Sequence, residues 1–255
     1  MSVNGINHNF YHAFVFKKNS TTLKTRVKNF FFLGFLLFSF IGNSQEINQF
    51  DDQGRRHGKW IKKFEGTADT RYEGVFFHGK ETGTFEFYNY TEKTPPSADA
   101  PAGKSSKHYL FATKTFTENS DLVEVKYFIP EGKVLSKGQM KGKVRVGKWV
   151  YYHPGTEKVM KEEHYENGVL HGKQITYFDN GNITKTEEFE HGELHGVVKV
   201  YNPDGKLRRY LTYENGELNG PAKFYDADGN LVSEGNYKNH KQIGEWKTYE
   251  EEATD

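Results

Sequence analysis

Hydrophobic and polar positions alternate along the C-terminal half of the chain and never settle into a helical period. In residues 172–196, GKQITYFDNGNITKTEEFEHGELHG, the run KQITYF is rich in strand formers. DNG follows, a strong tight-turn signal. NITKTEEF is a second run, in which Ile183, Glu187 and Phe189 share one face by alternation. HGELHG then turns the chain again. One unit is therefore two strands and two turns. Glycine every few residues, with no lasting apolar period of 3.6, excludes a helical reading.

The unit returns every 24 residues. Gly172, Gly196, Gly220 and Gly244 form one series, and Tyr177, Tyr201, Tyr225 and Tyr249 a second. Tyr165, Phe189, Tyr213 and Tyr237 form another, as do Gly181, Gly205 and Gly229, and Ile183, Leu207 and Leu231. Such a period marks a solenoid-like array. Trp149 matches Trp246, with Gly147 and Tyr152 in the slots of Gly244 and Tyr249. Farther upstream, Gly83, Phe85 and Tyr88 fill the same slots, and Gly58 to Trp60 begin the first copy. The spacing drifts there by a residue or more, which a surface turn absorbs. The predicted fold is all-β: an elongated single-layer antiparallel meander of stacked β-hairpins. A lone hairpin is marginal. Aromatic rings and Leu170, Leu194 and Leu218 stacking from unit to unit would stabilise the array, with glycines supplying the positive φ that tight turns need.

Two stretches break the pattern. RVKNFFFLGFLLFSFIGNSQ holds a twelve-residue apolar run, Phe30 to Ile41, with basic residues before it and small ones after. It is short for a bilayer span and reads as a secretory signal peptide over 1–44, cleaved after Ser44 to leave Gln45 first. A buried strand or an uncleaved anchor is the competing reading. The basic region is long, and a true translation start at Val27 would give a compact signal. TEKTPPSADAPAGKSSK is rich in Pro, Ala and Ser and reads as a loop or linker over 91–108. It separates N-terminal repeat units, 45–90, from a main array, 109–250, and an acidic frayed tail follows at 251–255. HYLFATKTF and DLVEVKYF look like strands but match the repeat poorly.

Charge changes little. The formal net charge is +1, which leaves no nucleic-acid footprint. With residues 1–44 set aside, 30 basic and 34 acidic residues make an ordinary soluble surface. Without cysteine, stability must come from packing, and lipid attachment after the apolar run is not expected.

No candidate chemistry stands out. His171 and His195 share a repeat slot, and His57 and His78 have a similar HG context. Each unit contributes two strands about 4.8 Å apart, so equivalent histidines should lie roughly 10 Å apart. That is too far for one zinc ion, and turn residues are the better reading. Glu187, Glu188, Glu190 and Glu193 scatter over both faces, and Glu187 aligns with Leu211 and Gly235, which suits a tolerant surface slot. DNG and DADG lack the ligand run of a calcium loop. There is no Ser-His-Asp spacing, G-x-S-x-G or phosphate loop. The sequence therefore offers no catalytic residue, no metal ligand and no cofactor site.

YENGVLHGKQITYFDNG from Tyr165, FEHGELHGVVKVYNPDG from Phe189 and YENGELNGPAKFYDADG from Tyr213 resemble the MORN-variant repeat. Bacterial proteins built from it include the YwqK-like antitoxin family. The resemblance covers about 127–249 and, more loosely, 54–88. It implies a sheet of successive hairpins serving as a scaffold or adaptor, and it supplies no catalytic residues. The reading that follows is an exported, non-catalytic scaffold binding a protein or glycan partner in the cell envelope, with no membrane span after signal cleavage. An immunity or antitoxin-like protein that neutralises a toxin, and an envelope-associated enzyme, are the alternatives.

Overall fold

A computed structural model of the protein describes residues 46–91 and 107–249. The expected signal peptide and frayed tail, and residues 92–106 of the Pro-, Ala- and Ser-rich stretch, lie outside the described residues. The described chain is a single-layer antiparallel sheet of 18 strands and contains no helix. In chain order they are β1 Gln49–Phe50, β2 Arg56–Lys63, β3 Thr70–Phe77, β4 Lys80–Tyr90, β5 His108–Phe116, β6 Leu122–Phe128, β7 Val134–Lys141, β8 Val144–Tyr152 and β9 Val159–Glu166. The remainder are β10 Val169–Leu170, β11 Gly172–Tyr177, β12 Ile183–Glu190, β13 Glu193–Leu194, β14 Gly196–Tyr201, β15 Leu207–Glu214, β16 Glu217–Tyr225, β17 Leu231–Lys238 and β18 Lys241–Thr248.

Successive strands pair in order from β1 to β18. β10 and β11 are halves of one strand broken at His171, and both pair with β9. β13 and β14 are likewise split at His195 and pair with β12. β4 pairs with β5 from Gly83↔Phe116 through Tyr90↔His108, so residues 91–107 join two strands of one hairpin. β5 and β6, the poor matches to the repeat, fall in line as ordinary members of the sheet.

Two kinds of turn alternate, one at each margin. Along one margin, five two-residue loops have both central residues at positive φ: His78 and Gly79, Asn167 and Gly168, His191 and Gly192, Asn215 and Gly216, Asn239 and His240. This is the type I′ geometry, whose twist matches that of the flanking strands. Along the other margin, wider turns close on a glycine. Gly181, Gly205 and Gly229 donate to the carbonyls of Phe178, Asn202 and Asp226. The stretch HGELHG is therefore not one turn. His191–Gly192 is the hairpin loop, Glu193–Leu194 is already strand, and Gly196 (φ 107°) lies at the start of β14. Gly172, Gly220 and Gly244 carry the same left-handed φ.

Neighbouring hairpins are laced together at both margins. Gly79, Gly168, Gly192, Gly216 and His240 donate their backbone N–H to the carbonyls of Arg56, Arg145, Leu170, Leu194 and Leu218 in the hairpin before. On the far margin, Asn180 and Asn182 donate to the Pro203 carbonyl at 2.8 and 2.7 Å, and Asn202 to that of Ala227 at 3.2 Å. The N-terminal edge is closed by a side chain. Asn48 accepts from Ile61 N–H at 2.8 Å and donates back to the Ile61 carbonyl at 3.1 Å, standing in for a strand. Among the described residues, β18 pairs with β17 alone.

Candidate functional site

One face of the sheet carries its tightest packing. A transverse row crosses the strands: Trp60↔Gly74, Phe85↔Lys114↔Val125↔Gly138, Trp149↔Glu163, Gln174↔Glu187 and Val198↔Leu211↔Ala222↔Gly235, ending on Trp246. At three places along it a glycine stands next to a large ring. A Cβ added to Gly74, Gly138 or Gly235 would lie 2.4 Å from the ring of Phe85, Trp149 or Trp246. Each ring thus lies directly over a glycine eleven residues earlier. Units without the ring fill the same two slots with Glu163 and Gln174, Glu187 and Val198, or Leu211 and Ala222. Trp149 is 0% exposed and Phe85 1%. Glu187, expected in a tolerant surface slot, is buried at 7% exposure, and Glu163 in the equivalent slot at 5%. The slot tolerates variation because its partner across the strands compensates in volume.

Burying these carboxylates requires partners. Gln174 donates to Glu187 at 2.7 Å and Lys185 pairs with it at 2.8 Å. Glu163 sits in a larger cluster, with Lys161 at 2.5 Å and the Tyr165 hydroxyl donating at 2.7 Å. The Arg145 guanidinium stacks 4.5 Å above the Trp149 ring and donates to the hydroxyls of Tyr151 and Tyr165 at 2.8 and 3.1 Å. Burial alone would raise the Glu163 carboxyl. Hydrogen bonds from Lys161, Tyr151 and Tyr165 outweigh it and hold the group below the ordinary carboxylate range. Burial, then hydrogen bonding to Glu163, pushes the Tyr151 phenol far up. These groups are spent on each other.

The opposite face carries a second row, in direct cross-strand register throughout: Ile61, Glu73, Glu86, Thr113, Lys126, Lys137, Val150, Glu162, Ile175, Thr186, Lys199, Tyr210, Lys223, Glu234 and Lys247. Its carboxylates are paired. Lys59 lies 3.0 Å from Glu73, Lys148 2.8 Å from Glu162, and Lys223 2.8 Å from Glu234. Tyrosines of the second series bond the same acids: Tyr88 donates to Glu86 at 2.5 Å and Tyr249 to Glu234 at 2.8 Å. Beside this row, Lys126, Lys133, Val134, Lys137 and Tyr152 line an open depression of about 490 Å³.

The repeat positions singled out in the sequence take distinct places. Tyr165, Phe189, Tyr213 and Tyr237 are half-buried, and Tyr237 meets the Trp246 ring edge-on at 5.2 Å. Tyr177, Tyr201 and Tyr225 are half-buried and Tyr249 is 40% exposed.

Histidines meet where the sequence reading kept them apart. His57 and His78 have ring centroids 4.8 Å apart, and His171 and His191 5.8 Å. The 10 Å spacing applies to equivalent slots, whereas these pairs join His57 of β2, or His171 at the break between β10 and β11, to a turn residue of the next hairpin. Asp51, His57 and His78 bring three possible metal-binding atoms within 4.8 Å of one another. A guanidinium already stands among them: Arg55 Nε is 2.8 Å from Asp51 Oδ2 and Nη2 is 2.9 Å from His78 Nδ1. The Asp51 carboxylate also accepts the backbone N–H groups of Gln53 and Arg55, at 3.0 and 2.9 Å. Hydrogen bonding with His78, helped by Arg55, holds it far below its ordinary value. A divalent cation would have to displace Arg55, so the trio fits a clasped turn better than a metal centre.

The fold and both faces describe a repeat sheet of hairpins. Residues 170–191, 194–215 and 218–239 each match the MORN repeat variant, so a MORN-variant repeat region runs through 170–239. No curated protein matches the chain.

Proposed function

We propose that the protein is an exported, non-catalytic repeat scaffold that binds a protein partner in the cell envelope through the face bearing Lys126, Lys137 and Glu162. The observation that carries this reading is the fifteen-position row of that face, where mostly charged side chains follow polar, aliphatic and aromatic ones in cross-strand register. Such a row offers an extended partner a patterned surface and no enclosed reaction chamber. The MORN-variant match over 170–239 supports the scaffold class. The apolar run before Gln45 supports export.

Crosslinking in intact producing cells, followed by mass spectrometry, tests the binding role. The expected result is one recurrent protein joined to lysines of this face. Crosslinks to no protein, or to glycan alone, would contradict it. Fractionation with N-terminal sequencing tests export: envelope material beginning at Gln45 is expected, and cytoplasmic material retaining residues 1–44 counts against it. Neutralisation of a toxin is one form of this binding, and a crosslinked partner that kills cells lacking this protein would select it.

A further inference from the structure

The fifteen-position row contains two like-charge steps, Glu73↔Glu86 and Lys126↔Lys137. Like charges directly opposite each other destabilise a sheet. The acidic step is relieved inside the protein. Lys59 lies 3.0 Å from Glu73, and the Tyr88 hydroxyl bonds Glu86 at 2.5 Å and lies 3.4 Å from Glu73. The basic step is not relieved: among the described residues, no carboxylate lies within ion-pairing distance of Lys126 or Lys137, whereas Lys148 and Lys223 on the same face hold Glu162 and Glu234.

The tyrosine series shows the same inversion. Tyr88 and Tyr249 each bond a glutamate fifteen residues earlier, Glu73 and Glu234. Fifteen residues before Tyr152 stands Lys137, whose ammonium lies 5.6 Å from the Tyr152 ring centroid. Lys133 adds a third amine to the depression and is held there by a hydrogen bond to the Gly155 carbonyl. Three amines thus line one open depression of about 490 Å³, with Glu157 the one acid on its wall.

We propose that Lys126, Lys133 and Lys137, with the Tyr152 ring, form a receptor for a carboxylate-rich segment of the protein partner. This rests on the scaffold reading above and names the chemistry that the face recognises. A glutamate side chain suits the depression. Its carboxylate takes the place that Glu73 and Glu86 find filled by Lys59 and Tyr88, and its methylenes lie against Val134 and the Tyr152 ring. Phosphate recognition favours the bidentate fork of arginine, and the residues lining the depression include none.

Fluorescence anisotropy of the exported chain with a labelled hexaglutamate peptide tests the receptor. Saturable binding that weakens as sodium chloride screens it is expected. Lys126→Glu and the double variant Lys126→Gln with Lys137→Gln should each weaken it at least about tenfold, a loss of about 1.4 kcal/mol or more. Lys206→Gln, at a lysine of the turn between β14 and β15 that is already paired with Asp228, should stay within about twofold of wild type. Lys126→Glu replaces a repulsive pair with an attractive one, so its melting temperature should hold or rise while binding is lost. Binding unchanged by both variants would overturn the proposal. So would inorganic phosphate displacing the peptide at equal concentration, or phosphatidylglycerol vesicles binding more tightly through the same lysines. If the double variant still crosslinks the cellular partner, the scaffold stands and the receptor assignment falls. If wild type crosslinks no partner, the scaffold reading itself fails.

Discussion

Gly138 has an ordinary strand conformation, and what it cannot carry is a side chain. The Trp149 ring occupies the space where a Cβ would stand, 2.4 Å away. Gly138→Ala therefore overpacks the row and should destabilise the fold by about 1–3 kcal/mol. Trp149→Ala empties it, at about 3–5 kcal/mol. Urea denaturation monitored by circular dichroism measures both, and a neutral Gly138→Ala would refute the close ring–backbone contact. Glu163 gives a pH-dependent test. Its folded-state pKa is depressed below the ordinary 4.5, so its stabilisation is present above that value and lost as pH falls through the folded value. The stability difference between wild type and Glu163→Gln should be largest at pH 7 and shrink towards pH 3. A difference that does not change with pH would contradict the buried, hydrogen-bonded carboxylate. Trp149 and Trp246 stood out as repeat positions in the sequence, yet their partners Gly138 and Gly235 did not. Ring and glycine lie eleven residues apart across a bulged hairpin, a separation no alternation pattern reveals. Glu187 looks exposed for the same reason, because a slot holding Glu187, Leu211 and Gly235 looks unconstrained until Val198, Ala222 and Trp246 are seen opposite.

At the scale of the element, turn chemistry carries the repeat. DNG marks a glycine-closed turn because only a residue tolerating positive φ completes it. The HG pairs were harder. His191 takes a φ of 51° in a two-residue loop, while His195 stands before a glycine that begins a strand. The same dipeptide serves two geometries, and only strand register separates them. Gly220, with φ 113° and Thr212 carbon 3.2 Å from where a Cβ would stand, is the sharper test. Gly220→Ala should cost more than about 1 kcal/mol. His191→Asn, which copies Asn167 and Asn215, should be neutral or slightly stabilising. Equal effects from the two substitutions would mean that the strand-start glycine is not conformationally required.

Across the whole described chain, stability passes from hairpin to hairpin. Contacts run almost entirely between successive strands, so the sheet depends on unbroken register and on how its ends are finished. Asn48 closes the N-terminal end by bonding both polar groups of Ile61. Asn48→Ala should loosen β2 and speed amide exchange at Ile61 while leaving β15–β17 unchanged. Uniform loss of protection would show that the array melts as one unit, with no local end effect. The hairpin order was legible from the 24-residue period. The union of β4 with β5 was not, because the Pro- and Ser-rich insertion hides that hairpin from a repeat search. The lysine depression was equally hidden: Lys126 and Lys137 become neighbours only when β6 pairs with β7.

The central claim, one sheet held in a single register from unit to unit, can be tested directly because the chain has no native cysteine. Thr186 of β12 and Lys199 of β14 stand opposite each other across the boundary between two 24-residue units, whereas Val200 is one residue out of register and faces the other way. Cysteines at 186 and 199 should form an intramolecular disulfide on mild oxidation, read by mass spectrometry, and cysteines at 186 and 200 should remain largely free. Preferential bonding of the 186 and 200 pair, or none at 186 and 199, would contradict the account.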